Sequence, residues 1–451
     1  MGGKRVRIHT NCQPNKCAKR SFVGKDNDDD DDDRICRLPD DVLLDILSFL
    51  SLKEAARTSV LSSRWMNLWK HTPSLDFDAQ GVLDKIPKHC KSEKRKSEKR
   101  KFVKWVNSVV RTHKSPALKE FKIHFPLKKS SRKSITRWLE FAFSRRVQRL
   151  ELDFDNYHNL YEFPQEFLLD GSMQPPSDSV RIDQPPRMLF DFKSLKALSL
   201  KSVRVSDGAI EFFLHNCPLL EQLIVHESIK LSRLEICGSS LKLKHLEIVS
   251  CRRLKSLKVS APRFTTLNIT RSKGLLLENV PLLVNACVSC GDVSISIENV
   301  FSVLSCCVSQ LQTLSLDLSS IEIGRVLDEI SELPLLPILK KLVIKYCARG
   351  HESLIRLTAL LRVSPFLEEF FFQFHWYILP REDRQVKIPI SSPHHHLKVF
   401  KFCGYYGSTN DVELISYILE NCPVLEKIII DLFCVSFPVP QVPQHVELVI
   451  L

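Results

Sequence analysis

Glycine is scarce in this chain, at 13 of 451 residues. No glycine-rich phosphate loop or dinucleotide fingerprint is present, and neither the Gly-x-Ser-x-Gly nucleophile turn nor the His-Glu-x-x-His metal helix occurs. A catalytic triad assembled from residues far apart in the sequence stays an open alternative, because spacing along the chain does not reveal one. The missing motifs favour a binding protein without a cofactor over an enzyme.

Long apolar runs are missing too, since no stretch of eighteen apolar residues occurs that could cross a bilayer. The first residues, Met1 to Val6, lack the apolar core of a signal peptide, and Val6 stands where a myristoylation signal has Ser or Thr. We therefore expect a protein of the cytoplasm or nucleus with no membrane segment.

Cysteine is more frequent, with 15 copies scattered through apolar segments. In a reducing compartment we expect these to be free, buried thiols. The set closest to a zinc site is Cys287, Cys290, Cys306 and Cys307, but the second pair lacks ligand spacing and no histidine is near. The run His394 to His396 is better explained as a turn before a strand. We expect no bound metal.

The formal net charge of +13 is concentrated in one segment. Residues 84–137 contain nineteen Lys or Arg against four acids, a net charge of +15, so the rest of the chain sums to −2. Two basic runs in this segment predict a nuclear-import signal, a patch for an acidic partner, or a solvated face that joins two domains. The runs consist of Lys94, Arg95, Lys96, Lys99, Arg100 and Lys101.

Residues 34–78 carry no net charge and predict three short helices. Asp40 and Asp41 follow Leu38-Pro39, so their carboxylates can accept from free amides and face the positive end of a helix running to about Leu50. Ser51 can cap a second helix to about Thr58, and a third carries Trp65, Leu68 and Trp69. Three short helices cannot bury this much apolar surface alone, so part of it should have a partner.

The order and spacing of these residues resemble an F-box along its whole length, from Leu38-Pro39 through Ile46-Leu47 to Arg64-Trp65 and Leu68-Trp69. The resemblance implies a helical module that docks on a Skp-type adaptor, which links it to a cullin scaffold and a ubiquitin-conjugating enzyme. Some of the matching residues could instead form only the core of the module. The adaptor-binding residues that the resemblance implies are Leu38, Pro39, Ile46, Leu47, Leu50, Val60, Leu61, Arg64, Trp65, Leu68 and Trp69.

Beyond this module, apolar residues return at positions i, i+3 and i+5 in thirteen copies, which is the leucine-rich-repeat pattern. The i+3 and i+5 members share one face of a short strand, and the leading residue turns in from the preceding loop. The copies begin at Leu118, Val147, Leu195, Leu220, Leu231, Leu243, Leu254, Phe264, Leu311, Leu339, Leu367, Leu397 and Leu425.

The spacing between copies predicts an irregular solenoid. From Leu311 the steps are 28, 28, 30 and 28 residues, which leaves room for a helix, whereas from Leu220 to Phe264 they are only 10 to 12. The middle should therefore lack helices between strands, and a stack of antiparallel hairpins stays possible there. Cys217-Pro218 and Cys422-Pro423 should end helices at structural corners, because proline has no amide to continue the helix.

The predicted organisation is an α/β repeat protein with a small all-α F-box module, an irregular leucine-rich-repeat solenoid and a C-terminal FBD-like region. Residues 394–428 resemble the FBD region that follows such repeats in many plant F-box proteins. The predicted boundaries are a disordered tail with an aspartate run (1–33), the F-box (34–78), a basic linker (79–104), repeats (105–380) with a proline-rich insertion (156–190), and the FBD-like region (381–451).

These features favour a substrate receptor of a cullin-type ubiquitin ligase, in which the F-box holds the adaptor and the repeats hold an unknown target protein. One alternative is a nucleic-acid-binding protein that uses residues 84–137 with Trp105 or Trp138. It is disfavoured, because the basic runs lack interleaved aromatic residues. Another alternative is a small-molecule receptor in the solenoid.

Overall fold

The structure is a computed structural model. It describes residue 35 and residues 37–79, 81–82, 93–155, 161–167, 190–270, 273–289, 297–319, 333–348, 354–376, 393–432 and 441–451. The predicted N-terminal tail, most of residues 79–92 and most of the proline-rich insertion lie outside the described residues. None of the helices in the described ranges has the length and hydropathy needed to span a membrane.

The first module contains three short helices: α1 (Asp40–Ser48), α2 (Leu52–Arg57) and α3 (Trp65–Leu68), with 3₁₀ turns at Thr58–Val60 and Trp69–His71. The predicted cap at Ser51 is confirmed, because its hydroxyl accepts from the Glu54 amide while the Glu54 carboxylate accepts from the Ser51 amide. The predicted carboxylate cap on α1 is wrong. Pro39 is the N-cap residue, and no side chain caps the free amides.

Parallel strands follow, and fourteen of the described strands form one main sheet. In sheet order these are β1 (Ser74–Asp78), β2 (Glu120–His124), β3 (Arg149–Asp153), β5 (Ala197–Lys201), β7 (Gln222–His226), β9 (His245–Val249), β11 (Thr266–Ile269), β13 (Asn285–Ser289), β14 (Thr313–Asp317), β15 (Lys341–Ala348), β16 (Glu369–Trp376), β17 (Val399–Tyr405), β18 (Lys427–Leu432) and β19 (Glu447–Ile450).

The triplet pattern sets the register of this sheet. The i+3 residues pair across neighbouring strands in one continuous row that passes through Leu75, Phe121, Leu150 and Leu198 and ends at Leu448. These side chains point to the buried face, because residues two apart on a strand share a face. The sheet therefore has one buried face and one face lined by half-exposed residues, which we call the open face.

The middle of the solenoid has a second, smaller parallel sheet instead of helices. It contains β8 (Arg233–Cys237), β10 (Ser256–Ser260) and β12 (Leu275–Glu278), in the order β12-β10-β8. The short steps of 10 to 12 residues are thus half-repeats, in which the chain alternates between the main sheet and this back sheet. The absence of room for a helix is confirmed, and the antiparallel-hairpin alternative is wrong, since every pairing here is parallel.

Helices cover the buried face in the outer parts of the solenoid. They are α4 (Glu93–Thr112), α5 (Arg132–Ser144), α6 (Asp207–Asn216), α7 (Ile297–Leu304), α8 (Ala359–Arg362) and α9 (Thr409–Asn421). The predicted corners are confirmed, because Cys217 and Cys422 are the buried C-cap residues of α6 and α9. Burial raises the pKa of both thiols to about 12.

The described parts of the proline-rich insertion and of the FBD-like region both belong to the solenoid fold. Of the proline-rich insertion, residues 161–167 and residue 190 are described. β4 (Tyr161–Glu162) pairs with β6 (Val203–Arg204), and Phe163 packs edge-on against Phe213 with ring centroids 5.6 Å apart. In the FBD-like region, β17, β18 and β19 continue the main sheet and α9 covers its buried face. The turn predicted at His394 to His396 lies directly before β17.

Candidate functional site: the helical module and the open face of the sheet

The helical module has a small core of its own. Leu43, Leu47, Ala55, Trp65 and Leu68 are buried together, with Leu38, Leu44 and Trp69 packed against them. Three of the predicted adaptor-binding residues, Leu47, Trp65 and Leu68, therefore stabilise the module from inside.

Arg64 joins the two ends of the module. Its guanidinium donates to Oδ1 of Asp40, at 2.8 Å from Nε and 2.6 Å from Nη2, and to the carbonyl oxygen of Leu38 at 2.5 Å. The ion pair is partly solvated, so its Coulombic contribution is modest. Its geometric effect is larger, because it fixes the Leu38-Pro39 turn against the start of α3.

The outer surface of the module carries a dense set of exposed apolar side chains. Phe49 is 88% exposed and Val60 is 87% exposed, and Leu61 lies beside Val60 on the same turn. We call this set the module surface; it consists of Ile35, Pro39, Val42, Ile46, Phe49, Leu50, Val60, Leu61 and Met66. Exposed apolar side chains at this density are typical of interaction surfaces.

The sequence prediction found Pro39, Ile46, Leu50, Val60 and Leu61 of this surface. It missed Ile35, Val42, Phe49 and Met66. The available signal was helical spacing: Leu43 and Leu47 lie four apart and face inward, while Val42, Ile46 and Phe49 recur at four and three residues and face outward. A helix with apolar residues on two faces has one face more than its own core needs.

The module is attached tightly to the solenoid. Leu52 of α2 belongs to the main core, and Trp69 packs against both cores. Lys53 lies over the Trp105 ring of α4, with Nζ 4.6 Å from the ring centroid. The amide of Lys114 donates to the carbonyl oxygen of Lys70 at 2.7 Å. Because several independent contacts connect them, the module surface has a fixed direction relative to the repeats.

The six predicted import-signal residues lie on one helix. All of them occupy the first half of α4, where Lys96 pairs with Glu93 at 3.2 Å and Lys101 pairs with Glu98 at 2.8 Å. From Phe102 onward the same helix is apolar on one side and buries Phe102, Val106 and Val109. What was predicted as a basic linker therefore includes the start of the helix that covers the first repeats.

Of the two tryptophans named for nucleic-acid stacking, Trp138 is a core residue and Trp105 is partly buried against the core. Trp138 is fully buried, and its Nε1 donates to Oδ1 of Asn107 at 2.8 Å. Trp105 packs edge-on against Phe77 and Phe102, and Lys53 covers its face. The Trp138 ring is therefore closed to a stacking base, and Lys53 already occupies one face of the Trp105 ring.

In the first half of the open face, from β3 to β9, charged side chains pair with one another. Lys201 contacts Glu151 at 2.9 Å and Asp153 at 3.9 Å, linking neighbouring strands. Further along, Glu247 accepts from His226 at 2.8 Å and from His245 at 3.4 Å. These two hydrogen bonds lower the pKa of Glu247 to about 2. This half of the face is therefore self-paired, with its charges largely satisfied within the sheet.

The second half of the open face is more apolar. From β15 to β19 the central row reads Val343, Phe371, Lys401, Ile429 and Val449 on adjacent strands, and all five are half-exposed. Lys341 lies over the Phe371 ring at 4.2 Å. Four of the five side chains in this row are apolar, and Lys401 stands between Phe371 and Ile429. Apolar groups with charged groups beside them fit the core-and-rim composition of protein interfaces.

The cysteines of the weighed zinc set lie apart from any donor cluster. Cys287 is half-buried on β13, Cys307 is buried and donates to the Leu304 carbonyl oxygen, and Cys290 lies outside the described residues. Within the described ranges, no three His, Cys, Asp or Glu side chains are placed to hold a metal ion.

Comparison with known proteins agrees with this architecture. The F-box domain model matches residues 35–76, and the model of the At1g61320/AtMIF1 LRR domain matches residues 109–443. The second match covers most of the chain and reaches residue 443, so it includes most of the described FBD-like region but not β19. The chain belongs to the F-box/LRR-repeat family of plant proteins, with an LRR domain of the At1g61320/AtMIF1 kind.

Its relatives include several proteins of Arabidopsis thaliana. The putative F-box/LRR-repeat protein At5g02700 is 32% identical over 42% of this chain and 38% of its own length. The F-box/LRR-repeat protein At3g58940 is 28% identical over 88% of this chain and 65% of its own length. The F-box/FBD/LRR-repeat protein At4g00160 is 32% identical over 43% of this chain and 41% of its own length. The chain thus spans about half the length, or less, of several relatives that it matches.

Proposed function

We propose that the protein is a non-catalytic substrate receptor of a Skp-cullin-F-box ubiquitin ligase. The module surface binds a Skp-type adaptor, and the open face of the sheet binds a target protein. The observation that carries this proposal is the exposed apolar module surface on a chain that has an F-box domain. Helix α1 is apolar on both faces, and the module's own core covers only the inner face. The outer face therefore needs a partner protein.

The receptor acts by proximity. Its rigid attachment between module and solenoid holds the adaptor and the target at a fixed separation. That geometry raises the effective concentration of target lysines near the activated ubiquitin, without a reacting group on this chain. The protein would act in the cytoplasm or nucleus, where such ligases operate.

The target is proposed to contact the second half of the open face. Val343, Phe371, Ile429 and Val449 present apolar groups that the sheet does not cover, whereas the first half has paired its own charges. An interface centred on Phe371 would bury an aromatic anchor beside Val343, with Lys341 and Lys401 next to it, and buried aromatic anchors are common in binding hot spots.

The adaptor assignment is tested with the triple variant Ile46→Ser, Val60→Ser, Leu61→Ser. These side chains are exposed, so the module should stay folded while adaptor binding falls at least tenfold, because several buried apolar contacts are lost from the complex. The measurement is co-purification and titration with a Skp-type adaptor. Undiminished binding would rule out the module surface as the docking site.

A matched control replaces exposed apolar residues of the solenoid. The variant Leu335→Ser, Ile338→Ser, Val424→Ser removes three side chains of similar exposure far along the chain. It should bind the adaptor as the unmodified protein does. Equal loss in both variants would mean that general exposure of apolar surface, rather than docking at the module, controls co-purification.

A further inference from the structure

A basic cleft lies between the first part of α4 and the segment that leads into α5. Its volume is about 880 Å³, and pockets of about 300–1,000 Å³ commonly hold small ligands. Ser130, Ser131 and Ser134 line it, and Asp155 is the carboxylate among its described lining residues. Its cations are Arg95, Lys96, Lys99, Arg100, Lys104 and Lys128.

The cations that α4 contributes lie in two adjacent rows along the helix. One row contains Arg95 and Lys99, which are four residues apart. The other contains Lys96, Arg100 and Lys104, at the same interval. Side chains at this interval lie on one side of a helix, with about 5–6 Å between their Cβ atoms. The helix therefore presents positive charges to the cleft at short, regular separations.

The charge of the cleft is largely uncompensated within the protein. Lys96 pairs with Glu93, whereas the other five cations form no ion pair with a carboxylate in the part of the chain that the structure describes. Lys99 is half-buried, and its pKa is lowered by that burial and by the positive charges of Lys128 and Arg95. Holding like charges together in partly desolvated surroundings costs free energy, and a bound anion would offset that cost.

The charge of the lining indicates what kind of anion fits. A concave surface lined by one sign of charge concentrates the opposite charge. Six cations less one carboxylate give the described lining a net charge of +5. A phosphate group carries a charge of about −1.5 to −2 and three acceptor oxygens, to which arginine, lysine and serine side chains can donate. About three phosphate groups would therefore balance the cleft.

Two other kinds of polyanion fit this lining less well. The apolar residues among the described lining are Val103 and Pro126, so it includes no aromatic ring on which the base of a nucleotide or a nucleic acid could stack. An acidic peptide brings only one negative charge per carboxylate, together with backbone amides and carbonyls that need hydrogen-bond partners of their own. A compact molecule with several phosphate groups and no aromatic ring matches the cleft best.

We propose that the cleft binds a compact, non-aromatic molecule with three or more phosphate groups, either free or as the headgroup of a lipid. The bound molecule bridges α4 and the start of α5, two helices that cover the first repeats. Because it binds the folded chain, it raises the melting temperature of the protein. The cleft is separate from the module surface and from the second half of the open face, so this proposal does not depend on the proposed adaptor or target.

Calorimetric titration of the full chain with inorganic tripolyphosphate tests the site. The triple variant Arg100→Gln, Lys104→Gln, Lys128→Gln replaces three exposed cations of the cleft, so it should fold normally. It should bind tripolyphosphate at least about tenfold more weakly, because several charge-assisted contacts are lost. Circular dichroism checks that the variant is folded. Undiminished binding would overturn the proposal.

A matched control makes the same charge change elsewhere on the chain. The variant Lys193→Gln, Lys273→Gln, Lys398→Gln replaces three exposed lysines outside the cleft. It should bind tripolyphosphate as the unmodified protein does. Equal loss in both variants would also overturn the proposal, since the net charge of the protein rather than the cleft would control binding.

Further titrants test the chemistry of the ligand. Inorganic phosphate has a single group and citrate has three carboxylates, so both should bind at least about tenfold more weakly than tripolyphosphate. ATP carries a triphosphate with an aromatic base and should bind no more tightly. If citrate or phosphate bound as tightly as tripolyphosphate, the assignment of several phosphate groups would be wrong. Tighter binding of ATP, or of a DNA duplex that tripolyphosphate does not displace, would make the cleft a nucleotide or nucleic-acid site instead.

Vesicles distinguish the two sources of the phosphate groups. Phosphatidylcholine vesicles with and without a phosphatidylinositol bisphosphate lipid are sedimented with the unmodified chain and with both variants. Binding that requires this lipid, is displaced by tripolyphosphate and is lost only in the cleft variant would assign a lipid headgroup. Binding of tripolyphosphate without binding to these vesicles would assign a free ligand.

Discussion

At the scale of single residues, Gly404 occupies a position that other residues fit poorly. It lies in β17 with φ at +89°, next to the register shift between Cys403 and Tyr405. A Cβ atom at this position would lie 2.0 Å from the carbonyl oxygen of Phe374. Both the backbone conformation and the contact with the neighbouring strand thus require glycine.

We predict that Gly404→Ala lowers the free energy of unfolding by at least about 2 kcal/mol, because strain and a backbone clash add. Denaturant unfolding followed by circular dichroism measures it. The matched control is Gly208→Ala in α6, where a Cβ meets no atom within 4 Å. That change should be neutral or stabilise by up to about 1 kcal/mol. Equal effects of the two substitutions would contradict this account of Gly404.

Asp411 is a second residue whose environment sets its behaviour. It is fully buried at the start of α9, where Oδ2 accepts from the amides of Tyr406 and Ser408 at 3.0 Å. Its Oδ1 has no hydrogen-bond partner within the described residues. Burial raises the pKa of Asp411 from 3.8 to about 6, against the lowering effect of those backbone hydrogen bonds.

The sign of the pH dependence follows from this shift. Between pH 4 and 6 the folded chain binds more protons at Asp411 than the unfolded chain, so this residue's contribution to stability falls as pH rises through that range. Asp411→Asn keeps an acceptor oxygen for the two amides and removes the charge. The variant's melting temperature, relative to the unmodified protein, should therefore rise from pH 4 to 6 and then level off. A difference that stays constant with pH would contradict the raised pKa.

At the scale of elements, the two apolar faces of α1 separate stability from binding. Leu47→Ala should destabilise the module by about 2–5 kcal/mol, since it leaves a cavity between α1 and α3. Ile46→Ala, one residue earlier and exposed, should change stability by no more than about 0.5 kcal/mol yet weaken adaptor binding. Thermal unfolding and adaptor titration of both variants measure the two effects. If Ile46→Ala destabilised the module and Leu47→Ala only weakened adaptor binding, the assignment of the inner and outer faces of α1 would be wrong.

The repeats show which elements a sequence pattern can predict. The triplets located most strands correctly, because burial of the i+3 and i+5 residues is a local requirement. Three main-sheet strands were missed where one position departs from the pattern: Thr72 precedes β1, Ala286 lies on β13, and His445 precedes β19. In each of these strands, hydrogen bonding to the neighbouring strand sets the register that the side-chain pattern alone does not.

The alternation between two sheets could not be predicted from spacing. The triplets at Leu231 and Leu254 have the same pattern as those at Leu220 and Leu243, yet they belong to the back sheet. Assignment to one sheet or the other depends on pairing between residues about 22 apart. The same limit applies to the module, where Leu47 and Ile46 are equally apolar and only the packing of Trp65 distinguishes inside from outside.

At the scale of the whole molecule, the module and the solenoid share a strand. Residues Ser74–Asp78 lie within the stretch that resembles an F-box, but they form β1 and pair with β2 as the first strand of the main sheet. Leu75 and Phe77 are fully buried in the main core. The natural division between module and repeats therefore lies before β1, near Thr72.

This division predicts how truncated chains behave. A chain of residues 79–451 lacks β1, so it exposes the edge of β2 and the core side chains that Leu75 and Phe77 cover, and such edges promote aggregation. A chain of residues 72–451 keeps the strand and should stay monomeric, with one cooperative melting transition. Size-exclusion chromatography and thermal unfolding of both chains provide the measurement. If the shorter chain were as monomeric and as stable as the longer one, β1 would belong to the F-box module alone, and deletion at residue 78 would be harmless to the solenoid.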